Sequence, residues 1–249
     1  MTDSVWSCVL PTTLIAAVTG LGAVGGEAAA ADEPGPFRET YLADVCRELN
    51  KAWPSNRTVT IVCHGHSVPA GYFVTPRVDT FNAYPHLLHK ALNERFPNAV
   101  INVIVTAIGG EDAESGAARF ARDVLSHRPD VVTIDYALND RRIGLDRARK
   151  AWAAMIAQAQ AAGVKVILLT PTADMDIKFD DPNDPACQHA EQVRALAREY
   201  RVGLADSFAA YQQYVKNGGK VADLLSQFNH PNRQGHELVV RELLPWFPR

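Results

Sequence analysis

The sequence predicts an α/β fold: a three-layer αβα sandwich built on a five-stranded parallel sheet, flavodoxin-like in outline. Three observations predict it. Five short runs rich in Val, Ile and Leu recur from residue 58 onward. Each run is continuously apolar, as expected of a strand covered on both faces. Stretches with apolar residues at helical spacing separate them, and right-handed crossovers then place helices on both sides of one sheet.

The elements follow in order. Residues 33–57 read as a leading helix and a loop. TVTIVC (58–63) is the first strand and 84–95 the first amphipathic stretch. AVINVIVTAI (99–108) is the second strand, followed by a helix over 112–126. VVTIDYAL (131–138) is the third. Leu145, Ala148, Trp152, Met155, Ile156 and Ala159 then recur at spacings of three and four, which gives one apolar stripe. Gly163 stands where a helix C-terminal cap belongs, just before the fourth strand, VKVILLT (164–170). A helix over 188–200, a fifth strand VGLADS (202–207) and a closing helix over 234–246 complete the pattern. No internal repeat or interdomain linker interrupts it, so 32–249 reads as a single domain.

The chain has 249 residues, 47% of them hydrophobic, which suits one domain of α/β size. A formal net charge of −3 gives no electrostatic footprint for nucleic acid. Ordinary Gly and Pro content excludes collagen and disorder. Residues 9–25 are apolar but diluted by Gly, Thr and Pro, and Ala28-Ala29-Ala30 fits the small-residue rule of a signal-peptidase site. Residues 1–31 therefore read as a signal peptide or a disordered leader. The expectation is a secreted or periplasmic protein with no stable membrane insertion. Cys8, Cys46, Cys63 and Cys187 do not make a disulfide scaffold; a Cys46–Cys187 bridge is left open.

In open parallel α/β sheets the site lies beyond the carboxyl ends of the strands. After the first strand comes His64-Gly65-His66-Ser67. Gly109-Gly110 follows the second, Asn139-Asp140 the third, and Asn229-His230-Pro231 lies near the C-terminus. A hydroxyl, a glycine amide, a carboxamide and an imidazole thus gather at one edge. Acyl transfer needs those groups. Serine is a weak nucleophile until a base takes its proton, and histidine does so near neutral pH. Fixed N–H donors stabilise the oxyanion, and losing one typically costs about 10²–10³ in rate.

On these motifs the chain resembles the SGNH, or GDSL-type, hydrolases. The family's Gly-Asp-Ser reads Gly65-His66-Ser67 here, which makes Ser67 the nucleophile. Its second block reads AIGGEDAESG, with Gly110 the best oxyanion glycine and Gly109 its rival. The Gly-x-Asn-Asp block reads Ala137-Leu138-Asn139-Asp140, which makes Asn139 the oxyanion carboxamide. The Asp-x-x-His-Pro block reads Gln227-Phe228-Asn229-His230-Pro231, which makes His230 the base. The resemblance implies a carboxylic ester hydrolase that works through an acyl-enzyme with no cofactor. Its partner would be a small-molecule or carbohydrate ester, with acetyl esters suggested. A weakened carbohydrate-binding protein on the same fold, and a lipase or thioesterase, are the alternatives.

Three departures stand out: His66 for Asp, Ala137 for Gly, and Gln227 for the acid that normally orients the imidazole. Either Ser67 and His230 act as a dyad, or Asp223 or Asp206 supplies an acid from elsewhere. Asp140 reads as structural. His236 opens a helix, where capping or packing is the commoner role. Cys63, His64 and His66 also raise a rival reading, a zinc site completed by His230 or an acidic residue. Residues 174–184, with five aspartates, read as a solvated loop bordering the site. Tyr72, Phe73 and Tyr84 are candidates for pocket or core.

Overall fold

A computed structural model describes residues 37–249. Five parallel strands form one sheet in the order β2-β1-β3-β4-β5, with β1 Thr58–Gly65, β2 Val100–Val105, β3 Val131–Asp135, β4 Lys165–Leu169 and β5 Gly203–Ala205. The chain leaves β1 toward one side for β2 and returns past it for β3. The order therefore reverses between β1 and β3, where ligand crevices form in such sheets.

Successive strand residues point to opposite faces, and that alternation builds two cores. Val59, Ile61, Cys63, Val131, Ile167 and Leu169 face one layer. It contains α2 (Ala43–Leu49), α4 (Tyr84–Arg95), α9 (Ser207–Lys216) and α10 (Arg233–Leu243). Val62, Val132, Ile134, Val166 and Leu168 face the other. That side is covered by α5 (Ala113–Asp123), α7 (Leu145–Ala161) and much of α8 (Pro185–Glu199). The α7 stripe is buried from Ala148 to Ala159, with Trp152 at its centre. A fully buried side chain of this kind stabilises by roughly 1.5–3 kcal/mol.

The structure revises several sequence expectations. The leading helix is two short ones, α1 (Arg38–Tyr41) and α2. The third apolar run stops being strand at Asp135, and Ala137–Asp140 forms the single turn α6. Apolar content alone cannot mark that change of period. β2 is an edge strand with Val100 half exposed, so it is not covered on both faces as its composition suggests. β5 is three residues long, and its sequence partner Asp206 caps α9 by accepting from the Ala209 N–H at 3.1 Å. Cys46 and Cys187 are both free and sit in different hydrophobic clusters, so they form no bridge. The leader reading of 1–31 falls outside the described residues. Among the described residues no helix is long and apolar enough to cross a membrane.

Candidate active site

β1 ends where it runs closest to β3. A Cβ on Gly65 would meet the Asp135 carbonyl oxygen at 2.4 Å, so only glycine permits this approach. The His66 N–H then donates to the Asp135 carbonyl at 3.3 Å, and the chain turns into α3 (Ser67–Ala70). His66 is the N-cap: its Nδ1 accepts from the Val68 N–H at 3.3 Å. Ser67 thus stands at the carboxyl end of a central strand, at the switch point of the sheet.

The C-terminal loop brings His230 to the same edge. The His230 carbonyl accepts from the Ser226 N–H at 2.9 Å, which tightens the loop ahead of α10. His230 Nε2 lies 3.1 Å from Ser67 Oγ, a separation of 163 residues in sequence. That is hydrogen-bond distance between hydroxyl and imidazole. The ring is mostly buried, with Tyr72 against it at 5.7 Å between centroids. Burial holds its pKa below the usual histidine value; the Phe73 carbonyl pulls it up and the nearby His66 adds to the lowering.

The far side of that ring meets two groups. Nδ1 lies 3.0 Å from the Phe73 carbonyl oxygen and 2.7 Å from Gln227 Nε2. The Gln227 amide is itself oriented, because Oε1 accepts from the Thr75 N–H at 2.8 Å and Nε2 donates to Thr75 Oγ1 at 3.0 Å. The two neighbours favour opposite tautomers. A proton on Nδ1 donates to Phe73 and leaves the Nε2 lone pair for Ser67, which is the basic form. A proton on Nε2 lets Gln227 donate to Nδ1 and blocks that lone pair. Neither Asp206 nor Asp223 meets the ring. Asp206 binds Arg194 and caps α9, and Asp223 accepts from the Lys220 N–H at 2.9 Å. The acceptor behind the ring is therefore a backbone carbonyl, which carries no sequence signal.

The other predicted residues sit on the neighbouring strand ends. Ile108 N–H donates to the Gly65 carbonyl at 3.0 Å, which carries the chain after β2 alongside β1. Gly110 follows with φ +81°, a left-handed conformation, and its carbonyl accepts from the Arg142 guanidinium. Asn139, on α6, donates from Nδ2 to the Glu111 carbonyl at 2.8 Å, and its second amide hydrogen remains for another acceptor. Among the described residues the N–H groups of Ser67 and Gly110 have no hydrogen-bond acceptor. Strand order β2-β1-β3 sets Gly110, Ser67 and Asn139 side by side. Three groups with N–H donors are thus brought to one edge.

A family model for the GDSL-like lipase/acylhydrolase family matches residues 63–238. The chain belongs to this family. As a GDSL-like hydrolase its chemistry is that of a carboxylic ester hydrolase. An acetylxylan esterase of Geobacillus stearothermophilus is 24% identical over 161 residues, spanning 60% of this chain and 73% of that protein. Among solved structures, a two-domain esterase active on acetylated mannans aligns with TM-score 0.68 and 20% identity. The alignment covers 83% of this chain, which spans only 52% of that one. The acetylxylan esterase Axe2 from Geobacillus stearothermophilus aligns with TM-score 0.67 and 21% identity, over 77% of this chain and 94% of its own. These likenesses show the same fold.

The remaining candidates of this GDSL-like hydrolase have structural work. His64 uses both ring nitrogens within the protein. Nδ1 lies 2.8 Å from Thr106 Oγ1, and Nε2 lies 3.2 Å from the Gly116 carbonyl and 3.1 Å from the Tyr136 hydroxyl. Cys63 points into the opposite core, where burial pushes its thiol up to about 12. The zinc reading therefore loses two of its ligands, and among the described residues no three His, Cys, Asp or Glu are placed to hold a metal ion. His236 Nδ1 accepts from the Tyr84 N–H at 3.2 Å, and Tyr84 is core rather than pocket. The 174–184 loop does border the site: Met175 N–H donates to the Phe228 carbonyl at 2.9 Å, and Asp174 pairs with Arg141 at 2.6 Å.

Proposed function

We propose that this GDSL-like hydrolase removes acetyl or other short acyl groups from carbohydrate esters through an acyl-enzyme on Ser67. The carrying observation is the 3.1 Å contact between Ser67 Oγ and His230 Nε2. Ser67 Oγ bonds to the acyl carbon as its proton passes to Nε2. The carbonyl oxygen becomes an oxyanion, to which the N–H groups of Ser67 and Gly110 and the Asn139 amide can donate. The ester C–O bond breaks, and His230 gives its proton to the departing alcohol. Water, deprotonated by the same ring, then cleaves the acyl-enzyme and returns the proton to Ser67.

Two observations support a sugar ester. The relatives named above act, by their descriptions, on acetylated xylan and mannan. A cavity of about 550 Å³ adjoins the Phe73 side of the site, lined by Phe73, Asp79, Asn232, Arg233, Gln234 and Glu237. Five of its six lining residues carry polar or charged groups that can meet the hydroxyls of a sugar.

The test combines a serine-directed fluorophosphonate with graded esters. Labelling should fall on Ser67, vanish in Ser67→Ala and slow by about 10³ or more in His230→Ala. Acetyl esters, including acetylated xylo-oligosaccharides, should be cleaved faster than octanoyl esters. A preference for octanoyl groups would favour the lipase or thioesterase reading, and an unlabelled Ser67 the binding-protein reading.

A further inference from the structure

Next to the nucleophile stands an imidazole that the scheme above does not use. His66 is 1% exposed and its Nδ1 lies 3.4 Å from Ser67 Oγ. Its Nε2 lies 3.4 Å from Oδ1 of Asp135, the last residue of β3, which is 2% exposed. Nδ1 accepts from the Val68 N–H, so its lone pair faces the α3 turn and the ring proton resides on Nε2, which is in ion-pair range of the carboxylate without a formed hydrogen bond. This tautomer is uncontested, unlike that of His230.

The surroundings of Asp135 say why the imidazole is there. Its neighbours Tyr84, Tyr211, Thr133 and Cys63 are buried and carry no positive charge, and among the described residues His66 is the one group in ion-pair range. A buried carboxylate is costly unless a donor faces it. The pair also accounts for the departure at position 66. An aspartate there would cap Val68 directly. Here the ring makes the cap, and the carboxylate stands one imidazole further back, on the neighbouring strand.

We propose that Asp135 and His66 are positioning residues for Ser67: a second carboxylate–imidazole pair that holds the hydroxyl in line with His230 and brings to the site the negative charge that Gln227 lacks. The proposal rests on the hydrolase reading, because it assigns the pair to the nucleophile of that reaction. His66 sets where Oγ stands by capping the α3 turn through its Nδ1 lone pair, and Asp135 acts only through His66.

The experiment is a double-mutant cycle in the full chain. It reads kcat and KM with an acetyl ester, together with the fluorophosphonate labelling rate of Ser67. Asp135→Asn removes the charge behind the ring and should lower kcat and labelling about tenfold with KM little changed. His66→Asp keeps a capping oxygen but sets a second carboxylate near Asp135, and should also lose rate. Asp135→Asn in the His66→Asp background then relieves like-charge repulsion and should raise the rate, so its effect changes sign between the two backgrounds. His66→Asn, which retains a cap acceptor without a second charge, serves if His66→Asp does not fold: it should fold, label slowly and become insensitive to Asp135→Asn. Equal effects of Asp135→Asn in both backgrounds, or a His66→Asn rate equal to wild type, overturn the proposal. Labelling that behaves as expected in a chain that cleaves no ester removes the substrate reading and leaves the pair. A wild-type Ser67 that never labels removes both.

Discussion

In the proposed mechanism a single proton on the His230 ring decides whether Ser67 has a base. The Phe73 carbonyl draws that proton to Nδ1, and the Gln227 amide, fixed by Thr75, favours it on Nε2. Gln227→Glu replaces the competing N–H by a carboxylate oxygen of the same reach. Both neighbours of Nδ1 then accept, the basic tautomer is uncontested, and the imidazolium gains a counter-charge. His230 works as a base only when neutral, so kcat/KM falls as pH drops through its pKa. In wild type that pKa is lowered by burial, and the acid limb should lie below the ordinary histidine range. The carboxylate raises it, so Gln227→Glu should move the acid limb to higher pH and lift the plateau kcat by about tenfold. A pH–rate profile of the two proteins checks both parts; an unmoved acid limb would show that the amide does not engage the ring.

Elements whose character is set locally were legible in the sequence, and those set by neighbours were not. The span 84–95 coincides with α4, because Pro85 at its start and an apolar face fix it without help from outside. Residues 131–138 show the opposite case: the same apolar composition serves β3 and then the turn α6, and only pairing with β1 tells them apart. The site divides the same way. Ser67, Gly110, Asn139 and His230 were visible as side chains or glycines at strand ends. The Phe73 carbonyl has no residue signature, and the Asp135–His66 pair arises from β3 lying beside β1. Asp140 illustrates how such cross-element ties hold the scaffold. It accepts from the Ala113 N–H at 2.7 Å, at the start of α5, and from Trp152 Nε1 at 2.7 Å, within α7. Asp140→Asn would turn an amide donor toward one of these two N–H groups in a buried site. The cost should be about 2–3 kcal/mol, read as a lower urea midpoint with unchanged m-value. A loss under about 0.5 kcal/mol, the range of neutral surface changes, would mean that α5 and α7 do not depend on this carboxylate.

Over the molecule as a whole, buried neutral histidines should govern the response to acid. Burial holds His64 at about 4, His189 at about 4 and His236 at about 3, and Arg119 and Arg141 add to the lowering at the first two. In the unfolded chain each titrates near 6.5. Between pH 6.5 and about 4 the unfolded state therefore binds up to three protons that the native state refuses, and stability must fall as pH falls through that window. Asp140 acts the other way. Burial pushes its folded pKa up to about 6, so between about 4 and 6 the native state holds a proton that the unfolded state lacks. For these four groups the difference is close to two protons, which corresponds to roughly 2.7 kcal/mol of stability lost per pH unit at the steepest point. The lowered His86 and His230 act in the same direction as the other histidines. Urea titrations at pH 7, 6, 5 and 4.5 measure that slope. His236→Gln offers a sharper reading. A glutamine oxygen can still accept from the Tyr84 N–H that His236 Nδ1 now meets, but it takes up no proton on unfolding. The variant should lose some stability at pH 7 through imperfect packing, yet its curve should be shallower by about one proton, so the two proteins converge as the medium becomes acidic. Parallel curves would place the acid sensitivity in other groups.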